Sequence, residues 1–460
     1  MVTSMKTLNL KVIRDIKAKK GMFLAVTFLV FLGVAIFSSF YMSYLNLKNT
    51  YNYFYEQTNF EDISIDISKA PKDVIKKIKK IDGVKDVEGR ISIKGSTELQ
   101  NQHIVLRLIS VGEIDKETKI DKLIIVGEYL ESKSVLLLKK FANYHNIGIG
   151  DYVHVKIGGK KIRLRVSGLA YSPEYIWVVE GGELLTSPRT FGVAFVPHSV
   201  LEEFGYKNTI NQVKITVYDN QRKDEILKKA LSLLKNYGIT NYYTSENQPS
   251  NKALQMDLDG FKQLAILFPS FFLLISIFGV YILLTRLIKE QINSIAVLRA
   301  LGISRQTVLK HYLKHSLFIG VAGSMAGVIV GYLMAVMLTV QYTSALNVPY
   351  YVAKPHYDII FFGFVAGVVT PLLSGFVAAN NASKVEITQA LRGHVEIFKT
   401  NIDRFFEMPL LLKLSIRNLL CIVPKNLTLN TLKQLMGYGR LTERKIRYIV
   451  RHKRRGKTNR

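Results

Sequence analysis

Residues 22–44 read MFLAVTFLVFLGVAIFSSFYMSY, a run of 23 positions in which no side chain carries a charge. The hydrocarbon core of a bilayer is about 30 Å thick and takes roughly 20 helical residues to cross, so this run predicts a transmembrane helix. Residues 264–285, 316–340 and 359–379 are also long and free of charge. A cleaved signal peptide is the alternative for 22–44, but the apolar run is too long and no small-residue cleavage pattern follows it. We therefore predict four transmembrane helices, the first of them retained as an anchor.

The distribution of basic residues predicts how these helices are oriented. The chain has 63 Lys+Arg against 35 Asp+Glu, a net charge of +28, which is typical of nucleic-acid-binding proteins or of membrane proteins with basic cytoplasmic faces. Residues 45–262 hold 32 basic and 27 acidic side chains, whereas the other 242 residues hold 31 and 8. The excess therefore lies beside the apolar segments, in 1–21, 286–315 and beyond 380. Because short basic loops stay in the cytoplasm, we expect a multi-pass plasma-membrane protein with both termini cytoplasmic and no nucleic-acid partner.

Residues 45–262 predict an extracytoplasmic α+β domain in two lobes, inserted between the first two membrane helices. The segment 61–68 alternates apolar and polar residues, as a half-buried strand does, and 71–84 has the apolar spacing of an amphipathic helix. Two β runs joined by a Gly-Gly pair follow at 151–171, which is a hairpin signal. The strand-then-helix order returns near the end of the domain. We expect strand-and-helix pieces at both ends and a smaller all-β lobe at about 120–200.

No group of residues in the sequence predicts catalysis or a metal site. The phosphate-loop pattern G-x-x-x-x-G-K-[ST] is absent, so energy from ATP must come from another polypeptide. We expect no enzyme activity, no metal and no cofactor. Trp177 lies in an aromatic stretch and belongs either to a satellite core cluster or to a contact surface for a partner or a lipid tail. The histidines of the outer domain are scattered, without the spacing of metal ligands: His103, His145, His154 and His198.

The segment 286–315 joins the second and third membrane helices on the predicted cytoplasmic side. Its sequence KEQINSIAVLRALG (289–302) predicts a short apolar helix that Gly302 ends, since glycine accepts the left-handed conformation there. Ser304 is placed to cap the next helix. Such a helix either lies flat in the lipid headgroups or fits a groove on a cytoplasmic partner. A third interpretation is a simple connector.

The third membrane helix carries Gly323, Gly327 and Gly331 on one face. Glycines at this spacing let another helix approach closely, although the pattern does not say whether that helix is internal or belongs to a second subunit. Pro371 interrupts the hydrogen bonding of the fourth helix. None of the four spans holds an ionisable residue at mid-depth, which argues against an ion-coupled carrier.

The stretch SIAVLRALGISRQTVLKHYL (294–313) resembles the signature of FtsX-like permeases, the membrane subunits of MacB-type ABC transporters. The family topology of one span, a large outer domain and three more spans is similar to the one predicted above, and the outer domain resembles the MacB-type periplasmic core domain. ASKVEITQALRG (382–393) resembles the closing stretch of that module. Ser294, His315 and Gln389 stand where the family usually has acidic residues.

This resemblance implies a permease that couples ATP hydrolysis by a separate ATPase subunit to movement of the outer domain, for export or release of a substrate. It implies a homodimer, or a heterodimer with another permease, in contact with membrane lipids. An envelope signalling or scaffold protein that controls a cell-wall hydrolase or a sensor kinase is the alternative. The residues expected to meet the ATPase are Ile295, Leu298, Arg299, Leu301, Gly302 and Arg305.

The segment 380–460 forms a predicted cytoplasmic tail. LLKLSIRNLL (411–420) echoes LNLKVIRDIK (8–17), which resembles the start of a second copy of the module, yet no fifth span follows. Residues 440–460 instead hold ten Lys/Arg and one Glu. The tail is either a truncated or frameshifted second module or a natural basic segment that binds anionic lipids.

Overall fold

The computed structural model describes residues 2–99, 102–112, 118–179 and 187–383. Residues 384–460, which are all but the first four residues of the predicted tail and include Gln389, lie outside these residues. The helices are α1 (Val2–Ala18), α2 (Lys20–Thr58), α3 (Val74–Lys79), α4 (Lys139–Tyr144), α5 (His198–Leu201), α6 (Lys223–Leu234), α7 (Pro249–Glu290), α8 (Ile292–Ala300), α9 (Arg305–Ala345) and α10 (Tyr357–Ser383). The strands are β1 (Ile63–Pro71), β2 (Val84–Arg90), β3 (Ser92–Leu99), β4 (Gln102–Ser110), β5 (Ile124–Gly127), β6 (Ser134–Leu138), β7 (Tyr152–Ile157), β8 (Lys160–Tyr171), β9 (Phe191–Val196), β10 (Thr209–Val217) and β11 (Ile239–Thr244).

Among the described residues, four helices are long and apolar enough to cross a membrane: α2, α7, α9 and α10. Each contains one of the four predicted spans, so four candidate membrane helices stand where the sequence predicts them. The helix α2 continues past the predicted end of its span as far as Thr58. It does so because Leu47, Tyr51 and Phe54 keep an apolar face at helical spacing and bury it in a cluster of aromatic and aliphatic side chains.

The described chain forms two compact units. One comprises 2–17, 278–316 and 373–383, and the other comprises 18–277 and 317–372. The second unit holds both β-sheets.

The first sheet has four antiparallel strands in the order β11-β1-β10-β2. Apolar residues at alternate positions of β1 and β10, among them Ile63, Ile65, Val213 and Ile215, are fully buried. The helices α3 and α6 contribute Ile78 and Ile226, among others, to the same cluster. This is the strand-and-helix pattern that the two ends of the outer domain predicted.

The second sheet has seven strands and closes on itself. Its order is β5-β8-β6-β9-β4-β3-β7, and β7 pairs again with β8. Six strands therefore form a barrel, while β5 lies outside on β8. The β lobe was predicted at about 120–200, but the strands of this sheet begin earlier in the chain, at Ser92 in β3. The hairpin of β3 and β4 belongs to the barrel because its strands pair with β7 and β9, which come much later in the chain.

Five charged side chains meet in the interior of the second unit, and we call them the buried charge cluster. Lys214 Nζ lies 2.5 Å from Glu174 Oε1 and also contacts the carboxylate of Glu61. Arg90 Nη1 donates to Glu174 Oε2 at 2.8 Å and lies 3.5 Å from Asp121 Oδ2. Glu61 follows α2, Arg90 ends β2, Asp121 precedes β5, Glu174 follows β8 and Lys214 lies in β10. The cluster therefore joins both sheets to the end of α2.

Two cations and three carboxylates share this interior, so the buried charge cluster cannot be neutral with every group ionised. Burial raises the pKa of Glu61 to about 7, against the lowering effect of Lys214. Burial and the charges of Glu174 and Glu61 raise the pKa of Asp121 well above its usual range. Burial opposes ionisation of Glu174 too, but Lys214 and Arg90 together hold its pKa below the ordinary value. Burial therefore favours the protonated form on the Glu61–Asp121 side of the cluster.

Trp177 lies in a satellite cluster in which Leu254 and Leu346 are buried. The Trp177 backbone N–H donates to Ser250 Oγ at 2.9 Å, which ties the turn after β8 to the first turn of α7. The side-chain amide of Asn347, in the loop after α9, donates to the Tyr175 carbonyl at 3.1 Å. Of the two interpretations of Trp177, the structure supports the satellite cluster.

Candidate functional site: the elbow between α7 and α9

The segment 286–315, which we call the elbow, contains α8 and both of its junctions. Gly302 has φ +90° at the end of α8. Its N–H donates to the Arg299 carbonyl at 3.0 Å, and the Ile303 N–H donates to the Leu298 carbonyl at 3.1 Å. These two bonds form the Schellman arrangement, which needs a left-handed residue at the position of Gly302. The helix ends where the sequence predicts.

The next helix begins two residues later with a side-chain cap. The Thr307 N–H donates to Ser304 Oγ at 3.3 Å, and the two hydroxyl oxygens of Ser304 and Thr307 lie 2.9 Å apart. The cap satisfies a backbone donor that the helix leaves without an internal partner. The short turn between α8 and α9 therefore has a defined shape.

One face of α8 packs inward, within its own unit. Ile295 is only 6% exposed and Leu298 is half-buried. Both line a small pocket together with Ile303 and Val308. Both side chains therefore pack within the elbow itself, and their predicted contact with the ATPase stays a prediction.

The opposite face of α8 is exposed and apolar. Leu301 is 76% exposed and Val297 is 49% exposed, one helical turn apart, and Gly302 beside them is also exposed. Because residues four apart share one helix face, Val297 and Leu301 form a single apolar edge. Val297 was not among the predicted contact residues, although its spacing from Leu301 was a signal that could have found it.

Arg299 and Arg305, both predicted to contact the ATPase, differ in their surroundings within the structure. Arg299 is half-buried. The guanidinium of Arg305 donates from Nη2 to Asn380 Oδ1 at 3.0 Å, which ties the start of α9 to the end of α10. Arg305 therefore contributes to the packing of its own unit.

Three glycines of α9, which we call the glycine face, pack against α2. A Cβ added at Gly323 would lie 2.9 Å from the Thr27 carbonyl oxygen, and one added at Gly327 would lie 2.8 Å from Val34 Cβ. At Gly331 the nearest atom would be Ser38 Cβ, at 2.7 Å. Real Cβ atoms essentially never come so close. The sequence left the partner of this face open, and the structure places it on the first membrane helix of the same chain.

Residues 266–387 match the family model described as FtsX-like permease C-terminal. The resemblance to FtsX-like permeases, first seen in the sequence of 294–313, is confirmed over residues 266–387. The FtsX-like region contains the elbow, the glycine face and α10, all within one matched segment.

Two solved structures are similar to part of the chain. One is the extracellular domain of the noncanonic ABC-type transporter YknZ from Gram-positive bacteria, at 17% identity over 40% of this chain and 98% of that chain, with a TM-score of 0.27. The other is the periplasmic region of MacB from Actinobacillus actinomycetemcomitans, at 11% identity over 45% of this chain and 95% of that chain, with a TM-score of 0.27. No curated protein matches the chain.

Proposed function

We propose that the protein is the permease subunit of an ABC-type transporter and works with a separate ATPase subunit. In this proposal the elbow and both termini lie in the cytoplasm, and the two sheets form a two-lobed domain outside the plasma membrane, inserted between α2 and α7. ATP hydrolysis by the partner moves this outer domain, for export or release of a substrate. The permease acts as a homodimer or as a heterodimer with a second permease, in contact with membrane lipids.

The exposed apolar edge of Val297 and Leu301 is the observation that carries the proposal. Exposed leucine and valine on a short helix with a defined end favour a protein partner that buries them. The edge lies inside the FtsX-like region and directly before the turn into α9. A push on this edge would reach α9 through the three residues of the hydrogen-bonded turn at 302–304.

In this proposal, movement of the first two membrane helices is transmitted to the outer domain through hydrogen bonds at the end of α2 and the start of α7. The Lys122 N–H donates to the Thr58 carbonyl at 2.7 Å, at the end of α2. At the start of α7, the Gln248 side-chain amide donates to the Glu174 carbonyl at 2.9 Å. Both attachments adjoin the buried charge cluster, so tilting of either helix would be passed to both sheets.

Co-purification from membranes tests the proposal. Tagged full-length protein, extracted in mild detergent, is expected to bring down an ATPase subunit that mass spectrometry identifies by its phosphate-loop sequence. Leu301→Ala removes most of the apolar edge, so we expect weaker recovery of the ATPase and loss of its stimulation by the permease. The matched control is Leu333→Ala, in which a leucine that is 61% exposed on α9 is removed.

The comparison between the two leucine variants decides the result. Equal ATPase recovery with Leu301→Ala and Leu333→Ala would remove the assigned role of the elbow edge. Recovery of a cell-wall hydrolase or a sensor kinase in place of an ATPase would overturn the proposed function.

A further inference from the structure

We propose that Asp15, His311 and His315 bind a divalent transition-metal ion at the base of α9, a function beyond the permease role. Asp15 lies on α1, and the two histidines lie one turn apart on α9, all within one compact unit. One ligand atom from each side chain can be chosen so that all three lie within 4.8 Å of one another. His311 is 5% exposed and His315 is fully buried.

His311 is the side chain that points to a ligand. Among the described residues, neither of its ring nitrogens has a hydrogen-bond partner, although both are buried. Leaving a buried polar atom without a partner costs about 1–3 kcal/mol. Coordination of one ring nitrogen to a metal ion would remove most of that cost. The Oδ2 atom of Asp15 is buried and has no hydrogen bond among the described residues either.

The neighbouring hydrogen bonds orient the other two ligands. His315 Nδ1 lies 3.2 Å from the His311 carbonyl oxygen. A carbonyl can only accept, so Nδ1 is the donor in this contact, and Nε2 is the ring nitrogen directed toward Asp15. That Nε2 lies 3.5 Å from Asp15 Oδ2. A backbone carbonyl in this position is the usual outer-shell partner of a metal-bound histidine.

Gln291 and Tyr312 hold the carboxylate in place. Gln291 Nε2 donates to Asp15 Oδ1 at 2.9 Å, and Tyr312 Oη donates to Gln291 Oε1 at 3.0 Å. One oxygen of Asp15 is thereby occupied, and Oδ2 remains directed toward the histidines. These bonds run from Tyr312 on α9 through Gln291, at the junction of α7 and α8, to Asp15 on α1, so an ion here would fasten α1 to the elbow.

Two imidazoles and one carboxylate fit Zn²⁺ better than Mg²⁺ or Ca²⁺, which prefer oxygen ligands alone. Bond lengths of about 2.0–2.1 Å and tetrahedral angles place zinc ligands about 3.3 Å apart, so the three side chains close in slightly when the ion binds. A fourth position remains for water. Lys11 lines the same pocket as His311, and its positive charge weakens the attraction for a cation.

No metal site was predicted from the sequence, in which the histidines of the outer domain are scattered. The spacing of His311 and His315, four residues apart on a helix, was a signal for two of the three ligands. Asp15 could not be found in this way, because nearly 300 residues separate it from its partners.

Metal binding by the full-length protein tests the proposal. The protein, purified in detergent with a tag that lacks histidine and stripped with a chelator, is dialysed against Zn²⁺. Elemental analysis is expected to find one ion per chain. Co²⁺ in place of Zn²⁺ should give visible absorption bands that excess Zn²⁺ abolishes. His311→Ala and Asp15→Asn are each expected to weaken binding at least about tenfold, and Lys11→Gln should strengthen it.

The matched control is His103→Ala, since the His103 side chain is 81% exposed in the outer domain. This variant is expected to bind Zn²⁺ as the wild type does. Asp15→Asn keeps the size of the side chain, so it serves as the second variant if His311→Ala does not fold. Absence of stoichiometric Zn²⁺ in the wild type, or unchanged binding in Asp15→Asn, would overturn the proposal and leave the Asp15–His315 contact as an ion pair only.

Discussion

Glu61 is a buried carboxylic acid whose raised pKa makes the stability of its surroundings depend on pH. It is fully buried, and Lys214 and Glu174 share its surroundings in the buried charge cluster. Replacing such a cluster by apolar residues is often neutral for stability, whereas removing one partner leaves an unpaired buried charge. The position of the cluster, where α2 ends and the two sheets meet, favours a role in fixing the geometry of that junction.

Raising the pH from 5 to 8 is expected to lower the free energy of unfolding. Between about pH 4.5 and 7 the folded chain keeps a proton on Glu61 that the unfolded chain has released. Stability therefore falls as the pH rises through this range. The raised pKa of Asp121 acts in the same direction, whereas the lowered pKa of Glu174 has its effect below this window. At about 1.4 kcal/mol per pKa unit, the total fall is on the order of a few kcal/mol.

The variant Glu61→Gln isolates this effect, because it keeps the size of the side chain and removes its titration. We expect it to flatten the pH dependence and to be more stable than the wild type at pH 8. Thermal unfolding followed by fluorescence of Trp177, the single tryptophan, measures both. Glu56→Gln, at an exposed position of α2, is the control. A pH slope of Glu61→Gln equal to that of the wild type would contradict the assignment.

At the scale of single elements, the glycine face holds α9 against α2 through backbone contact. Gly327→Ala would place a methyl group 2.8 Å from Val34 Cβ and 3.0 Å from the Phe31 carbonyl oxygen. The two helices must then separate, and overpacking of this kind typically costs about 1–3 kcal/mol. We expect a lower midpoint for heat-induced loss of the monodisperse species in size-exclusion chromatography.

Gly260→Ala in α7 is the matched control for this prediction. A Cβ at Gly260 meets nothing within 4 Å, so alanine there removes only the conformational freedom of glycine. Such a change in a helix usually stabilises by about 0.5–1 kcal/mol. The two substitutions are therefore expected to act with opposite signs. A stabilised Gly327→Ala variant would show that α9 and α2 are not in close contact.

Local sequence patterns were sufficient to predict those elements that depend only on residues close together in the chain. Four uncharged apolar runs predicted four membrane helices, and Gly302 marked the end of α8. Pairings between distant segments could not be predicted in this way: β3 and β4 join the barrel only because β7 and β9 return beside them. The spacing of α8 groups Val297 with Leu301, but the sequence could not tell which face is buried, because Ile295 and Val297 are equally apolar and only packing distinguishes them.

At the scale of the whole molecule, the distribution of basic residues favours the proposed orientation of the chain over its inverse. The elbow and the N-terminal segment carry clustered Lys and Arg, whereas the loop 346–356 has only Lys354. Basic loops of this length are retained on the cytoplasmic side. The outer domain has nearly balanced charge and two well-formed cores, as expected of a domain that folds in water outside the membrane.

Cysteine labelling in intact cells tests this orientation. Cys421→Ser removes the single cysteine, and new cysteines are introduced by Lys160→Cys, at the exposed β7–β8 turn, or by Gln306→Cys, at the exposed start of α9. A membrane-impermeant maleimide is expected to label the first in intact cells, because the proposed orientation places that turn outside. The second should react only after permeabilisation, because the six basic residues of the elbow favour a cytoplasmic position. Equal labelling of both in detergent confirms that each thiol is accessible. The reverse pattern, with Gln306→Cys labelled in intact cells and Lys160→Cys protected, would place the apolar edge of α8 away from any cytoplasmic ATPase, and the proposed coupling would then be physically impossible.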